Sequence, residues 1–219
     1  MVEVLTTGPF VENCCLVADS RTKEAIIIDP GDEPARILSK IRELGLTPTL
    51  IFATHGHVDH VAAAPAIIDE LQLPFAMHLA DTDWTDHLRE QCQAFGLPPR
   101  DGPKVDRPLQ GGERLKVGRL EATVLHTPGH TGGGVSLYFA EQGVLFAGDT
   151  LFQGSIGRTD LPGGDTDTLL RSIHEQLLSL PDDTRVYTGH GPLTTIGRER
   201  RSNPFLSHGL PKHQGARFI

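Results

Sequence analysis

The chain has 219 residues and a mass of 23.8 kDa, the size of one domain that buries most of the surface its unfolded form exposes. Its formal net charge of −8 argues against a nucleic-acid backbone as partner, because phosphate binding needs a basic surface. Cys14, Cys15 and Cys92 are too few for a disulfide framework and are assigned to packing. No apolar run reaches the roughly 18 residues of a membrane span, and "MVEVLTTGPF" does not read as a secretory leader, so no membrane partner and a cytoplasmic location are expected.

In chain order, "EVLTT", "NCCLVAD" and "AIIIDPGD" read as short strands punctuated by Gly, Pro and Asp. "EPARILSKIRELG" places Ile37, Leu38, Ile41 and Leu44 at helical spacing, with Gly45 as a stop. "TLIFAT" has strand length, and "VAAAPAIIDELQ" predicts one helix over 61–72, with Pro65 tolerated near its start. "LADTDWTDHLREQCQAF" predicts another over 79–95, and the Pro-rich stretch at 96–113 predicts a surface loop. Strands resume with "RLKVGRLEATVLHTP", "GVSLYFAE" and "GVLFAGD", followed by a helix in "DTLLRSIHEQLLSLP" and a closing strand in "RVYTGHG". The order predicts an α/β fold of two mixed sheets with helices outside.

The chemistry concentrates where "TLIFAT" ends. "THGHVDH" carries His55, His57, Asp59 and His60, and a composition like this one produces H-x-H-x-D-H about 0.002 times by chance. Two imidazoles suit one borderline metal ion, and a carboxylate with an imidazole suits a second. Neither set fills a coordination sphere, so further ligands are expected from later strand ends: His126 or His130 in "HTPGHT", Asp149 in "FAGDT" and His190 in "YTGHG". His130, Asp149 and His190 each follow a glycine, which allows a sharp turn. His130 is preferred to His126 because it lies within the Gly-bounded turn. Asp149 has two oxygens and can bridge two ions.

"THGHVDH", "PGHT", "GDT" and "GHG", in that order, resemble the metallo-β-lactamase superfamily over about residues 2–206. "LFQGSIGRTDLPGGD" and "TGHGPLTTIGRERRSNPFL" resemble its short glyoxalase II-like, or hydroxyacylglutathione hydrolase-like, members. The resemblance implies an αββα sandwich, with a catalytic domain at 1–206 and a C-terminal tail at 207–219. It implies one metal on His55, His57 and His130, a second on Asp59, His60 and His190, and Asp149 as a bridge. The implied cofactors are two divalent ions, zinc first, with iron or manganese as alternatives. The implied substrate is a small thioester of the S-2-hydroxyacylglutathione type. Hydroxide attacks its carbonyl, with Asp59 and Asp149 as catalytic residues orienting it.

Rival activities on this pattern are a mononuclear iron persulfide dioxygenase and a lactonase. Relatives of the dioxygenase type follow "GRTD" with "FQ", whereas this chain has "LPGG". A true β-lactamase is disfavoured because those enzymes vary their second-metal ligands, and this set is complete. A structural zinc module is disfavoured because such sites are closed and often cysteine-rich.

Full-length glyoxalase II has an additional helical domain whose basic residues hold the glutathione moiety, and this sequence resembles only its catalytic domain. Arg198, Arg200 and Arg201 read as a solvated run, and Arg158 with Asp160 as an internal pair. Asp29 is either a turn residue before Pro30 or the carboxylate that orients a ligating histidine. His78, His87, His174, His208 and His213 are assigned to structure or solvent.

Overall fold

The alternation in strand β2 (Glu12–Ala18) explains the layers. Successive strand side chains point to opposite faces, and here both faces are apolar. Cys14, Leu16 and Ala18 enter one core, while Cys15 and Val17 enter another. Strand β3 (Glu24–Ile28) repeats the division, with Ala25 and Ile27 on the first side and Ile26 and Ile28 on the second. A sheet that is apolar on both faces must be covered on both, by helices on one side and another sheet on the other.

The computed structural model describes residues 1–206; the expected tail at 207–219, with His208 and His213, lies outside the described residues. The first sheet holds six strands in the order β1 (Val2–Thr7), β2, β3, β4 (Thr47–Phe52), β5 (Phe75–Met77) and β6 (Arg107–Pro108). Its first three strands are antiparallel and the rest are parallel. The second sheet has the order β14 (Thr194–Thr195), β13 (Arg185–Thr188), β10 (Val144–Gly148), β9 (Val135–Phe139), β8 (Leu120–His126) and β7 (Arg114–Val117). Only β10 and β13 run parallel there. Val144 and Phe146 of β10 face the inter-sheet core, while Leu145 and Ala147 meet Leu169 and Ile173 on the outer side. The expected αββα sandwich of two mixed sheets is present.

Helix α1 (Pro34–Leu44) matches its pattern, with Ile37 and Ile41 buried and Gly45 at φ 61° closing it. The stretch at 61–72 differs: it is divided between α2 (Val58–Val61) and α3 (Ala64–Leu71). Pro65 lacks the N–H that would continue the helix from Val61, and Ala63 N–H turns aside to the Pro30 carbonyl at 3.0 Å. The predicted helix at 79–95 is likewise broken, into a 3-10 turn at Leu79–Asp81, α4 (Thr82–Asp86) and α5 (Leu88–Ala94). Several small elements carried no sequence expectation: the hairpin of β11 (Leu151–Phe152) with β12 (Ser155–Ile156), β14, α7 (Ile196–Ser202), and β6, which pairs with β5 inside the stretch expected as a loop. The predicted late helix is α6 (Thr166–Ser172), continuing through a π turn at Ile173–Leu177. No helix among the described residues is long and apolar enough to cross a membrane.

Candidate metal centre

The loops that follow β4, β8, β10 and β13 converge on one edge of the sandwich. The β4 loop supplies His55 and His57, the short helix α2 that follows it Asp59 and His60, the β8 loop His130, the β10 turn Asp149 and the β13 turn His190. Close approach needs glycine here. A Cβ on Gly189 would lie 2.1 Å from Asp149 Oδ1 and 2.8 Å from His60 Cε1. A Cβ on Gly148 would lie 2.3 Å from Thr54 Oγ1, and its φ of 48° is itself a glycine conformation.

The outer hydrogen bonds fix which imidazole nitrogens carry protons. Thr54 Oγ1 donates to Asp29 Oδ2 at 2.7 Å, so its oxygen accepts from His55 Nδ1 at 3.1 Å. His55 Nε2 is thereby left as a bare lone pair. His130 Nδ1 donates to the Arg158 carbonyl at 2.8 Å, which bares His130 Nε2. These two nitrogens are 3.2 Å apart, and each lies 3.0 Å from His57 Nδ1. A single proton on His57 Nδ1 can satisfy one of them and not both, while His57 Nε2 is buried without a partner. Three nitrogens crowded this way fit a shared cation.

The second group repeats the logic. His60 Nδ1 donates to Asp29 Oδ2 at 3.0 Å, and its bare Nε2, also buried without a hydrogen bond, faces Asp149 Oδ1 at 3.4 Å and Asp59 Oδ2 at 3.9 Å. His190 Nδ1 donates to the Phe10 carbonyl at 3.0 Å. Its Nε2 lies 3.2 Å from Asp59 Oδ2 and 3.6 Å from Asp149 Oδ2. The same Asp149 oxygen is 3.6 Å from His130 Nε2, so this carboxylate touches both groups, and its Oδ1 is buried without a hydrogen bond.

The electrostatics of the two groups differ. Burial first, and then the neighbouring imidazoles, hold His55 well below the ordinary histidine range and bring His57 down to about 3. Both are therefore neutral donors at pH 7. Burial would lower His60 too, but Asp149, Asp59 and Asp29 outweigh it and leave it well above the ordinary value. His190 is likewise raised against burial, mainly by Asp59 and Asp149. Burial would raise Asp59 and Asp149, yet His60 and its neighbours keep both below the usual carboxylate range. The second group thus favours positive charge strongly.

All seven expected ligands meet here. Asp29 sits in the role of an orienting carboxylate, and the Arg158–Asp160 pair is bidentate, at 2.7 and 2.8 Å. His126 is elsewhere, stacked on His78 with ring centroids 4.5 Å apart. The three cysteines are buried. Arg200 and Arg201 are not simply solvated: both pair with Asp182, and Arg200 also donates to the Leu178 and Leu180 carbonyls.

Several supporting residues had no sequence signal. Asp81 is fully buried and accepts from Gly56 N–H (3.1 Å), the Thr131 hydroxyl (2.7 Å) and Gly133 N–H (2.6 Å), joining the loops that carry His55, His57 and His130. The indole of Trp84 meets the His57 ring edge-on at 4.4 Å, and Gln91 binds Val58 N–H and the Gly56 carbonyl. Trp84 was the nearest to legible, as the one tryptophan of the chain. Glu12 is buried beside Asp29 and His60, and burial holds its carboxyl well above the ordinary range.

Residues 7–190 match the metallo-beta-lactamase superfamily. The chain belongs to that family. It is 44% identical over 212 residues to the hydroxyacylglutathione hydrolase GloC of Haemophilus influenzae, covering 94% of this chain and 98% of that one. Among solved structures it resembles TTHA1623 in a di-iron-bound form, with a TM-score of 0.86, 44% identity, and coverage of 93% of this chain and 100% of the other. It also resembles the BLEG-1 B3 metallo-beta-lactamase, with a TM-score of 0.88, 41% identity, and coverage of 94% and 100%. Superfamily membership and the cluster together make this a centre able to bind metal.

Proposed function

We propose that the chain is a dinuclear metal-dependent hydrolase of thioesters, with S-2-hydroxyacylglutathione as the first substrate class to assay. The observation that carries the reading is Asp149, whose carboxylate faces His60 on one oxygen and both His130 and His190 on the other. His55, His57 and His130 would hold one ion, Asp59, His60 and His190 the other, and Asp149 both. Two such ions supply Lewis acidity and bring the pKa of water towards neutrality.

The chain's own groups do the rest. Five imidazoles, each neutral when its lone pair is given to a metal, and two carboxylates are a ligand set less negative than two divalent cations are positive, so the loaded pocket would retain positive charge. That charge favours hydroxide, the oxyanion of a tetrahedral intermediate and a departing thiolate. Asp59 and Asp149, both anionic at neutral pH, accept hydrogen bonds from the attacking water and orient it. Asp29 and the Phe10 and Arg158 carbonyls hold the imidazoles in the tautomers that ligation requires. No Ser or Cys nucleophile is needed, and the partner is a small molecule rather than nucleic acid or membrane. Zinc suits the set, with iron or manganese as alternatives; the di-iron form of a relative supports testing iron.

The experiment is to purify the chain without added metal, measure metals per chain and assay S-D-lactoylglutathione hydrolysis in the same preparation. The reading expects two metals and turnover that is lost in Asp149→Ala. About one iron per chain with persulfide-dependent oxygen uptake and no thioester hydrolysis would replace it with the dioxygenase. Faster turnover of a lactone or a β-lactam than of any thioester would replace it with those activities.

A further inference from the structure

We infer that Trp84 is a positioning residue for the metal centre: its indole face receives the outer N–H of His57 and so fixes which nitrogen that ring gives to an ion. The role belongs to the metal centre itself, so it stands or falls apart from the thioester reading.

His57 is the exception among the five histidines of the centre. His55 Nδ1 donates to Thr54 Oγ1, His60 Nδ1 to Asp29 Oδ2, His130 Nδ1 to the Arg158 carbonyl and His190 Nδ1 to the Phe10 carbonyl. These four rings keep their proton on Nδ1 and present Nε2. His57 is turned the other way. Its Nδ1 lies 3.0 Å from Nε2 of both His55 and His130. Nδ1 is therefore the nitrogen that belongs to the cation, and Nε2 is left to carry the proton. Yet Nε2 is buried without a hydrogen-bond partner.

A buried N–H with no acceptor is costly, and a metal-bound imidazole ordinarily aims its free N–H at a carboxylate, a carbonyl or water. An aromatic ring stands beside His57 instead. The planes of His57 and Trp84 are 86° apart and their centroids 4.4 Å apart, the edge-to-face arrangement in which an N–H donates to a π system. The edge of an imidazole that bears Nε2 lies across the ring from Nδ1, so in His57 it points away from His55 and His130. Indole presents the best π face of the aromatic side chains to a positive group. The reverse roles, with the indole N–H donating to Nε2, would give Nε2 a hydrogen bond, and it has none.

The surroundings hold Trp84 in this place. Gln91 Nε2 donates to the Trp84 carbonyl at 2.7 Å and to the Gly56 carbonyl at 3.4 Å, while its Oε1 accepts from Val58 N–H at 3.0 Å. One amide thus ties Trp84 to the residues on both sides of His57. Gly56 leaves room for the approach, since a Cβ there would lie 2.7 Å from Trp84 Cβ.

The test uses the zinc-loaded full chain as wild type, Trp84→Phe and Trp84→Leu, with two readouts that need no turnover. These are proton–nitrogen correlation spectra of the imidazoles and zinc affinity by chelator competition. A proton held over a π face resonates upfield of one held by oxygen. The wild type is expected to show one imidazole proton on Nε2, that of His57, upfield of four on Nδ1. Trp84→Phe keeps a π face and should keep that proton upfield. The zinc on His55, His57 and His130 should stay within about threefold of its wild-type affinity in Trp84→Phe and weaken roughly 10-fold in Trp84→Leu. A His57 proton downfield among the other four overturns the inference, as does wild-type zinc affinity in Trp84→Leu. Equal weakening in both variants assigns Trp84 to packing and also overturns it. Should Trp84→Leu fail to fold, the wild-type proton position and Trp84→Phe decide between the same outcomes. A wild type that takes up no zinc removes the metal centre and this role with it.

Discussion

The His55–His57–His130 group and the Asp59–His60–His190 group share one carboxylate, yet they are built differently. The first is all imidazole and buried, and its loops are joined from behind by the single carboxylate of Asp81. The second mixes imidazole with carboxylate and opens towards solvent at His190. That ring depends on one backbone carbonyl from a strained hairpin tip. The first group gains from rigidity and neutral donors. The second gains from charge, at the cost of depending on a loop. The expected consequence is a tightly held first ion and a second ion that is easier to remove.

The comparison can be broken most severely at the residue the halves share. Asp149→Ala should lower thioester turnover by on the order of 10²–10³-fold and reduce metal content at both positions, as measured by elemental analysis and initial rates. Next in size is Asp29→Asn, since Asp29 supports His55 through Thr54 and His60 directly. Both ions should bind roughly 10–100-fold more weakly in chelator competition. Asp81→Asn separates the halves. It leaves the shape but puts an amide N–H against groups that already donate, so the first ion alone should weaken by about 10-fold or more. Cobalt(II) substitution followed by its visible spectrum reads this independently of turnover, and equal weakening at both positions would contradict the division.

The smallest effect lies far from the centre. Asp19 is buried under Arg119, and the Arg119 guanidinium, followed by the Arg21 amide, holds its carboxyl far below the usual range. A carboxyl with a depressed folded-state pKa stabilises fully above its unfolded value of about 3.9 and loses that contribution as pH falls towards the folded value. Asp19→Asn should lower Tm at pH 7 by roughly 2–4 °C, and the gap to the wild type should close as pH falls below about 3. Metal binding should be untouched.

The cluster was legible because four of its candidate ligands lie within six residues, and the other three each come after an apolar strand and directly behind a glycine. The double layering was legible from the order of strands and helices along the chain, whereas the reason for it, that Glu12–Ala18 and Glu24–Ile28 are apolar on both faces, emerged only with the packing. The breaks at Ala62–Ala63 and at His87 were not, because helical periodicity runs through them and only tertiary bonds, such as Ala63 to the Pro30 carbonyl, decide where a turn ends. Asp81 could not be found from spacing, since its partners are 25, 50 and 52 residues away. Arg200 and Arg201 looked like a solvated run because their shared partner, Asp182, lies on a different turn of chain.

The most direct test of a two-ion centre with unequal halves is calorimetric titration of the metal-free chain with zinc, in the wild type and in His190→Ala. The account predicts two ions per chain in the wild type, bound with clearly different affinities, and one ion in His190→Ala that retains the tighter of the two. A single ion in the wild type, or loss of the tighter ion in His190→Ala, would contradict it.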